Sequence, residues 1–255
     1  MTTVSNRARL AAAVMRLSAR LGLAEPEVLG LGDLVREGDH VFDIGAAYGM
    51  YTVPLAELVG ASGRVHAFEP QPRQSRTVAT VRGLTTARNV GITRAAIGAD
   101  RGVFTLRIPV KFGLPIYGHA HVVEGTDAAL APARALHRTT PLFSVDDWCE
   151  RHGVERVSFL KVDVEGFEPT VVEGAARVIE RDRPSLLLEI EDRHLRRYGR
   201  DANAFADDLR RRFPEYRMYT WDGAWTPAGR IVLGTRNYLF ATDDAFTRVA
   251  EGARA

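Results

Sequence analysis

The sequence predicts a doubly wound α/β domain whose mostly parallel sheet ends in an antiparallel hairpin. Three observations carry this. Short apolar, β-prone runs alternate with segments of helical period between His40 and Ile190, the pattern of a parallel sheet covered on both faces. The first of these runs, in VFDIGAAYGMYT at 41–52, passes through a glycine turn straight into a helix. Beyond Arg212 the pattern changes to β segments joined by turns at Asp222-Gly223 and Gly234. A chain of 255 residues with 45% hydrophobic content can bury one sizeable core.

The elements follow in order. Residues 1–24 hold no acid, and Leu10, Val14, Leu17 and Leu21 mark one face of a helix. The apolar run Leu10–Met15 is too short for a signal-peptide core. Residues 1–37 therefore read as an N-terminal helical extension, with a helix near Glu27–Val35, and 38–255 as the domain proper. Within it, strands are expected at His40–Asp43, Arg64–Phe68, Val90–Ala96, Val103–Pro109, Val157–Val162 and Ser185–Ile190. Helices are expected at Tyr51–Val59, Pro72–Gly83, Ser144–His152, Pro169–Arg181 and Ala202–Arg212. Tyr216–Trp221, Arg230–Leu233 and Tyr238–Ala241 form the closing β segments. Between them, 110–141 has no clear period and reads as an insertion that carries substrate contacts or short elements.

Composition narrows the classes. A net charge of +2 gives no argument for nucleic acid, and no stretch approaches the roughly 20 apolar residues of a membrane span. Two lysines stand against 32 arginines, a bias read as genomic composition or warm adaptation before any anion clamp. The lone Cys149 excludes a disulfide framework and a cysteine-based zinc site, and fits a reducing cytoplasm.

The chemistry is expected outside the carboxyl ends of the strands. The first tip carries Asp43 and the turn of Gly45, Ala46 and Gly49. The spacing is D-x-G-x-x-x-G, with Ala47 where a dinucleotide fingerprint would place its second glycine. An acid before the turn repels a pyrophosphate and suits a cationic amino group, which points to S-adenosylmethionine over NAD. Glu69, about 20 residues on, suits the two ribose hydroxyls, and the small apolar tip at Ala96 and Ile97 suits an adenine edge. The fourth strand ends in Asp163, followed by Glu165 and Glu168. The fifth carries Glu189 and leads to Glu191, Asp192 and His194. Glu168 is also a natural first-turn acid for the next helix. His119 and His121 form a further pair, read first as a solvated loop.

VFDIGAAYGMYT, GRVHAFEPQP, FLKVDVEGFEPTVVEGA, PSLLLEIE and NYLF occur in this order. Together they resemble the FkbM-type methyltransferases over about residues 38–241, most specifically in KVDVEGFE at 161–168. The resemblance implies a class I, Rossmann-like fold of seven strands and S-adenosylmethionine as methyl donor. It also implies methylation of a hydroxyl on a sugar, oligosaccharide, polyketide or related metabolite. It assigns Asp43, Gly45, Ala46 and Gly49 to the donor turn and Glu69 to the ribose. Ala47 departs from the asparagine usual in the family's D-x-G-A-N-x-G.

A hydroxyl is a poor nucleophile, so two forms of assistance are expected. A general base, Asp163 or His194, takes the proton, or Mg²⁺ held by Asp163, Glu191 and Asp192 lowers the hydroxyl pKa. The competing classes are an NAD(P)-dependent oxidoreductase and a non-catalytic S-adenosylmethionine-binding subunit. The missing second glycine and the absence of a Tyr-x-x-x-Lys pair count against the first, and the intact acids against the second. Phe112, Tyr117, Trp148, Tyr198, Trp221 and Trp225 are candidates for stacking on a sugar or for packing. Apolar surface on the N-terminal helix and on 110–141 raises the expectation of a homodimer.

Overall fold

The computed structural model describes residues 4–111, 114–115, 121–122 and 135–246. In chain order these form α1 (Asn6–Arg20), a 3-10 segment (Pro26–Asp33), β1 (His40–Ile44), α2 (Thr52–Leu58), β2 (Arg64–Phe68), α3 (Pro72–Thr85), β3 (Val90–Thr93), β4 (Ala96–Ile97) and β5 (Gly102–Lys111). Then come β6 (Leu114–Pro115), β7 (His121–Val122), β8 (Ala135–Phe143), α4 (Val145–His152), β9 (Phe159–Val162), α5 (Glu168–Glu173), α6 (Ala176–Asp182) and β10 (Ser185–Glu189). The described chain closes with α7 (Asp192–Leu195), a 3-10 turn (Arg196–Tyr198), α8 (Ala202–Arg212), β11 (Arg217–Trp221), β12 (Trp225–Pro227) and β13 (Asn237–Ala241).

The main sheet runs β12-β11-β13-β10-β9-β1-β2-β3. Its five strands from β10 to β3 are parallel, and β13, β11 and β12 join antiparallel. The sheet is therefore eight-stranded, one strand more than expected, because the Asp222-Gly223 turn folds Trp225–Pro227 back on β11. Arg230–Leu233, expected as a strand, is not in the sheet. Both faces are covered. Phe42, Ile44, Leu160 and Leu188 enter one core cluster, while Val41, Val65, Phe159 and Leu187 enter the other, as the two-residue period of a strand requires.

Three other expectations change on contact with the tertiary structure. Val90–Ala96 splits, with β3 in the main sheet and β4 pairing β8 in a second sheet. That second sheet is built on a long antiparallel arm, β5 against β8, so the end of the aperiodic region is a nine-residue strand. Most of 110–141, including Phe112, Tyr117 and His119, lies outside the described residues. The Pro169–Arg181 helix breaks at Gly174, where a Cβ would lie 1.9 Å from the Gly98 carbonyl oxygen. α6 starts afresh, with the Asp146 carboxylate accepting from the Arg177 and Val178 amides.

The N-terminal segment wraps the main sheet. α1 packs on α2, with Arg16 paired to Glu57 at 2.9 Å. The 3-10 segment, expected as an α-helix, lies under Trp221 and Trp225, and Trp225 Nε1 donates to the Gly30 carbonyl at 3.1 Å. Those two tryptophans are thus packing residues. Trp148 is one as well, edge-on to Phe68 and stacked on His152. Among the described residues no helix is long and apolar enough to cross a membrane.

Candidate functional site

β1 and β9 are neighbours, yet the chain leaves β1 toward β2 and β3 and leaves β9 toward β10. Their carboxyl ends therefore form the switch point of the sheet. A cleft of about 470 Å³ opens there, its walls including Gly45, Ala47, Glu69, Ile97, Asp163 and Phe167.

The turn after β1 is pinned from behind. Gly45 and Ala46 donate their amides to the Phe68 carbonyl at 2.9 and 3.0 Å. Gly45 has φ +87°, and a Cβ on it would lie 1.9 Å from the Asp163 backbone oxygen. Glycine is required because the turn and the tip of β9 touch through their backbones. Ala47, at φ +43°, holds the left-handed conformation that asparagine adopts more readily. Glu69 fastens this turn to the next: Oε2 accepts from the Ala47 amide at 3.0 Å and Oε1 from the Gln71 amide at 2.7 Å. Burial pushes the Glu69 carboxyl up to about 7, against those two hydrogen bonds.

Asp43 behaves differently from expectation. It is buried behind the turn, accepts a hydrogen bond from the Thr52 hydroxyl at the start of α2, and does not line the cleft. Burial raises its pKa to about 6. It braces the turn from below. Gly49, at φ +86°, closes that turn through its amide to the Ala46 carbonyl at 2.7 Å. Ala96 and Ile97 do line the cleft.

Opposite the turn lies a network of acids. Asp163, 29% exposed at its side chain, faces the cleft, and its Oδ2 is 3.9 Å from Nζ of the buried Lys161. Lys161 donates to Asn237 Oδ1 at 3.1 Å. Asn237 Nδ2 in turn donates to Glu25 at 2.9 Å, and the Tyr51 hydroxyl donates to the same Glu25 oxygen at 2.6 Å. Burial opposes the Lys161 charge, but the surrounding carboxylates, Asp163 foremost, outweigh it and hold the ammonium above its ordinary pKa. Glu189 is buried against Arg236. Burial first, then the Asp163 charge, push Glu189 up to about 9.

The segment after β9 turns back on itself. Glu165 and Gly166 both have positive φ, at +57° and +102°. Glu168 Oε1 accepts from the amides of Val164 and Gly166 at 3.0 and 3.2 Å, so its role is to staple this turn. Its carboxyl is raised to about 7 by burial.

Two expected assignments need correction. His194 is 2% exposed and does not line the cleft. Its Nε2 is 3.1 Å from Glu165, misaligned for a hydrogen bond, and its Nδ1 is 3.9 Å from Glu189. Burial, then the Arg197 charge, lower its pKa to about 4, so it stands neutral behind the acids. The set Asp163, Glu191 and Asp192 does not converge. Glu191 pairs with Arg193 and Arg236, while Asp192 pairs with Arg196 and accepts from the Ala202 amide. Among the described residues the groups within ligand distance are instead Glu25, Asp163 and Glu189, and Glu165, Glu189 and His194.

Sequence reasoning missed Glu25, which lies 138 positions before Asp163 in the chain and is brought to it only by the wrapped N-terminal segment. It also passed over Lys161 and Asn237 as chemistry. Their one signal was a lysine inside an apolar strand in a chain with two lysines, which demands a buried partner.

The profile of the Methyltransferase FkbM domain matches residues 43–219. No curated protein matches the chain. Among solved structures, Methyltransferase FkbM from Methylobacillus flagellatus KT is 17% identical with a TM-score of 0.50, over 90% of this chain and 54% of that one. The chain thus spans about half the length of that structure. Fibrillarin from Aeropyrum pernix, solved with natively bound S-adenosyl-L-methionine, is 18% identical with a TM-score of 0.43, over 93% and 76% of the two chains. A SAM-dependent methyltransferase from Aquifex aeolicus is 15% identical with a TM-score of 0.44, over 90% and 97%.

Proposed function

Because the chain belongs to the FkbM methyltransferase family, we propose that it transfers a methyl group from S-adenosylmethionine to a hydroxyl of a sugar, oligosaccharide or polyketide-type metabolite. The cleft suits the donor. Gly45 lines the cleft with backbone alone, each Glu69 oxygen has accepted one amide and can still accept a ribose hydroxyl, and Ala96 and Ile97 offer an apolar wall. The bound donor supplies a methyl on a positively charged sulfur.

The observation that carries the reading is the contact between Gly45 and Asp163. It holds the Asp163 backbone against the donor turn, and the Asp163 side chain lines the same cleft, at the place this reading gives the acceptor hydroxyl. Asp163 is the general base of this proposal: it takes the hydroxyl proton as the oxygen attacks. Lys161 faces it at 3.9 Å, and Glu25 and Asn237 position Lys161. His194, 3.1 Å from Glu165 and 3.9 Å from Glu189, is a positioning residue. Magnesium has no step in this reading: the three residues expected to bind it do not converge, and the carboxylates that do, Glu25, Asp163 and Glu189, surround the Lys161 ammonium, which supplies their countercharge. The wrapped segment 1–37 and the domain 38–255 act together in this reading, joined by Glu25. The lone buried Cys149 supports a cytoplasmic setting.

Two measurements test it. Calorimetry with S-adenosylhomocysteine is expected to show binding that Asp163→Asn retains, while turnover on a panel of hydroxylated glycosides falls at least ~100-fold. After EDTA treatment the wild-type turnover is expected to persist. Loss of turnover restored by Mg²⁺ would sink the general-base mechanism.

A further inference from the structure

We infer that the outer face of α1 is the seam of a homodimer, formed with α1 of a second copy running antiparallel. Leu10, Val14, Leu17 and Leu21 are spaced four, three and four residues apart, the heptad spacing of a two-stranded helical interface. All four are exposed, at 67%, 50%, 54% and 65%, and Leu23 beyond them is 79% exposed. The opposite face of the helix is already used, since Ala8, Ala12 and Ala19 are buried against the body of the domain. The helix is therefore held in place with its apolar edge in water, and pairing does not have to fold it.

Several features select a second copy as the occupant. Ala11, Ala13 and Ser18 border the stripe, and exposed Arg7 continues it and Arg20 flanks it. The antiparallel register sets Arg7 opposite Ala24 and Arg20 opposite Ala11 of the second copy, so like charges do not meet across the seam. Arg16, on the flank, is neutralised by Glu57. An antiparallel two-fold pairing sets Leu10 against Leu21 of the second copy and Val14 against its Leu17, which makes the stripe complementary to itself. It also opposes the two helix dipoles favourably. A lipid surface fits less well, because the stripe is narrow and carries no aromatic residue. Covering the five side chains removes on the order of 500 Å² from water per copy, roughly 1,000 Å² in all, at the lower bound for a specific interface. The dimer is accordingly expected to dissociate in the micromolar range.

The test is sedimentation velocity on the full chain from about 1 to about 200 µM. A monomer–dimer equilibrium is expected, weakened at least ~100-fold in Leu10→Glu and Leu17→Glu, since each change counts twice across a two-fold axis. Below the dissociation constant of the dimer both variants are expected to keep the wild-type melting temperature; Leu17→Ser, a milder change in the same direction, serves if the glutamate lowers it there. Mixing Val14→Cys and Leu17→Cys chains under mild oxidation is expected to give the mixed cross-link in excess over either homodimer. A wild-type chain that stays monomeric throughout, a dimer that survives Leu17→Glu, or a Val14→Cys homodimer in excess would each overturn the proposal. So would a monomer that floats with phosphatidylglycerol vesicles.

Discussion

At the scale of single residues, the site depends on side chains whose ionisation is set by burial. Glu69 illustrates this. It sits at the tip of β2 with one amide on each oxygen, and burial pushes it up to about 7. Ribose hydroxyls donate to the ionised carboxylate, so a bound nucleoside favours loss of the proton. Affinity for S-adenosylhomocysteine is therefore expected to rise as the pH increases from about 6 to about 8. Calorimetry across that range checks it, and Glu69→Gln is expected to bind at least ~10-fold more weakly with a flat profile. An affinity that falls with rising pH would contradict the assignment. The sequence made Glu69 legible because its distance from the glycine turn is fixed by one helix and two strands. It misdirected the reading of Asp43, because a strand tip does not reveal whether its side chain faces the cleft or the helix behind it. Thr52 decides that here.

At the scale of elements, the turn from β9 into α5 is the most constrained piece of the site. KVDVEGFE supplies Lys161, Asp163, Glu165 and Glu168 from one strand end, and each takes a different direction. Gly166 makes the reversal possible. At φ +102°, a Cβ on it would lie 2.5 Å from the His194 carbonyl oxygen. Gly166→Ala is expected to cost about 2–4 kcal/mol, combining an unfavourable φ with displacement of α7, as read by urea unfolding. A cost under 0.5 kcal/mol would show the turn to be adaptable. The acid pattern in this motif was legible, but the division of labour within it was not. Glu168 faces its own turn because two amides lie within reach, while Glu191 and Asp192 turn outward because arginines 193, 196 and 236 meet them there. Arg193 and Arg196 lie two and four residues from their partners, within reach of a local pattern. Arg236 comes from a segment 45 positions beyond Glu191, which no local pattern predicts.

The element boundaries tell the same story. The first two strands lie where their apolar runs place them, with residues 41–44 and 65–68 buried on both faces. The helix expected at Pro169–Arg181 has an unbroken helical period, yet Gly98 crosses it so closely at Gly174 that the chain must interrupt it. A contact between residues 76 positions apart carries no periodicity.

At the scale of the whole molecule, the concentration of buried acids at one sheet edge sets how stability responds to pH. Asp43 is raised to about 6, Glu69, Glu165 and Glu168 to about 7, and Glu189 to about 9. Each binds its proton more tightly folded than unfolded. Its stabilising contribution is thus fully present below the ordinary carboxyl pKa and is lost as pH rises through the folded value. His66 and His194 are lowered to about 3 and about 4, so their contribution is present above the ordinary imidazole pKa and is lost on acidification. The acids outnumber the histidines. The melting temperature of the ligand-free protein is expected to be highest near pH 5–6 and to fall steadily toward pH 9. Thermal melts in a constant-ionic-strength buffer series check this, and a maximum above pH 8 would contradict it. Glu189→Gln is expected to flatten the alkaline part of the curve.

The sequence by itself determined the α/β class, the glycine turn, the acids at the strand tips and the apolar stripe of α1. These are local: each follows from the period of apolar residues, from the need for glycine at positive φ, or from the end of a strand. Only the tertiary structure decided which of those acids lie side by side, that Glu25 joins them, and that His194 stands behind the cleft. Those outcomes depend on burial and on pairing between segments far apart in the chain, and the energy of a buried charge is set by neighbours that no single stretch of sequence contains.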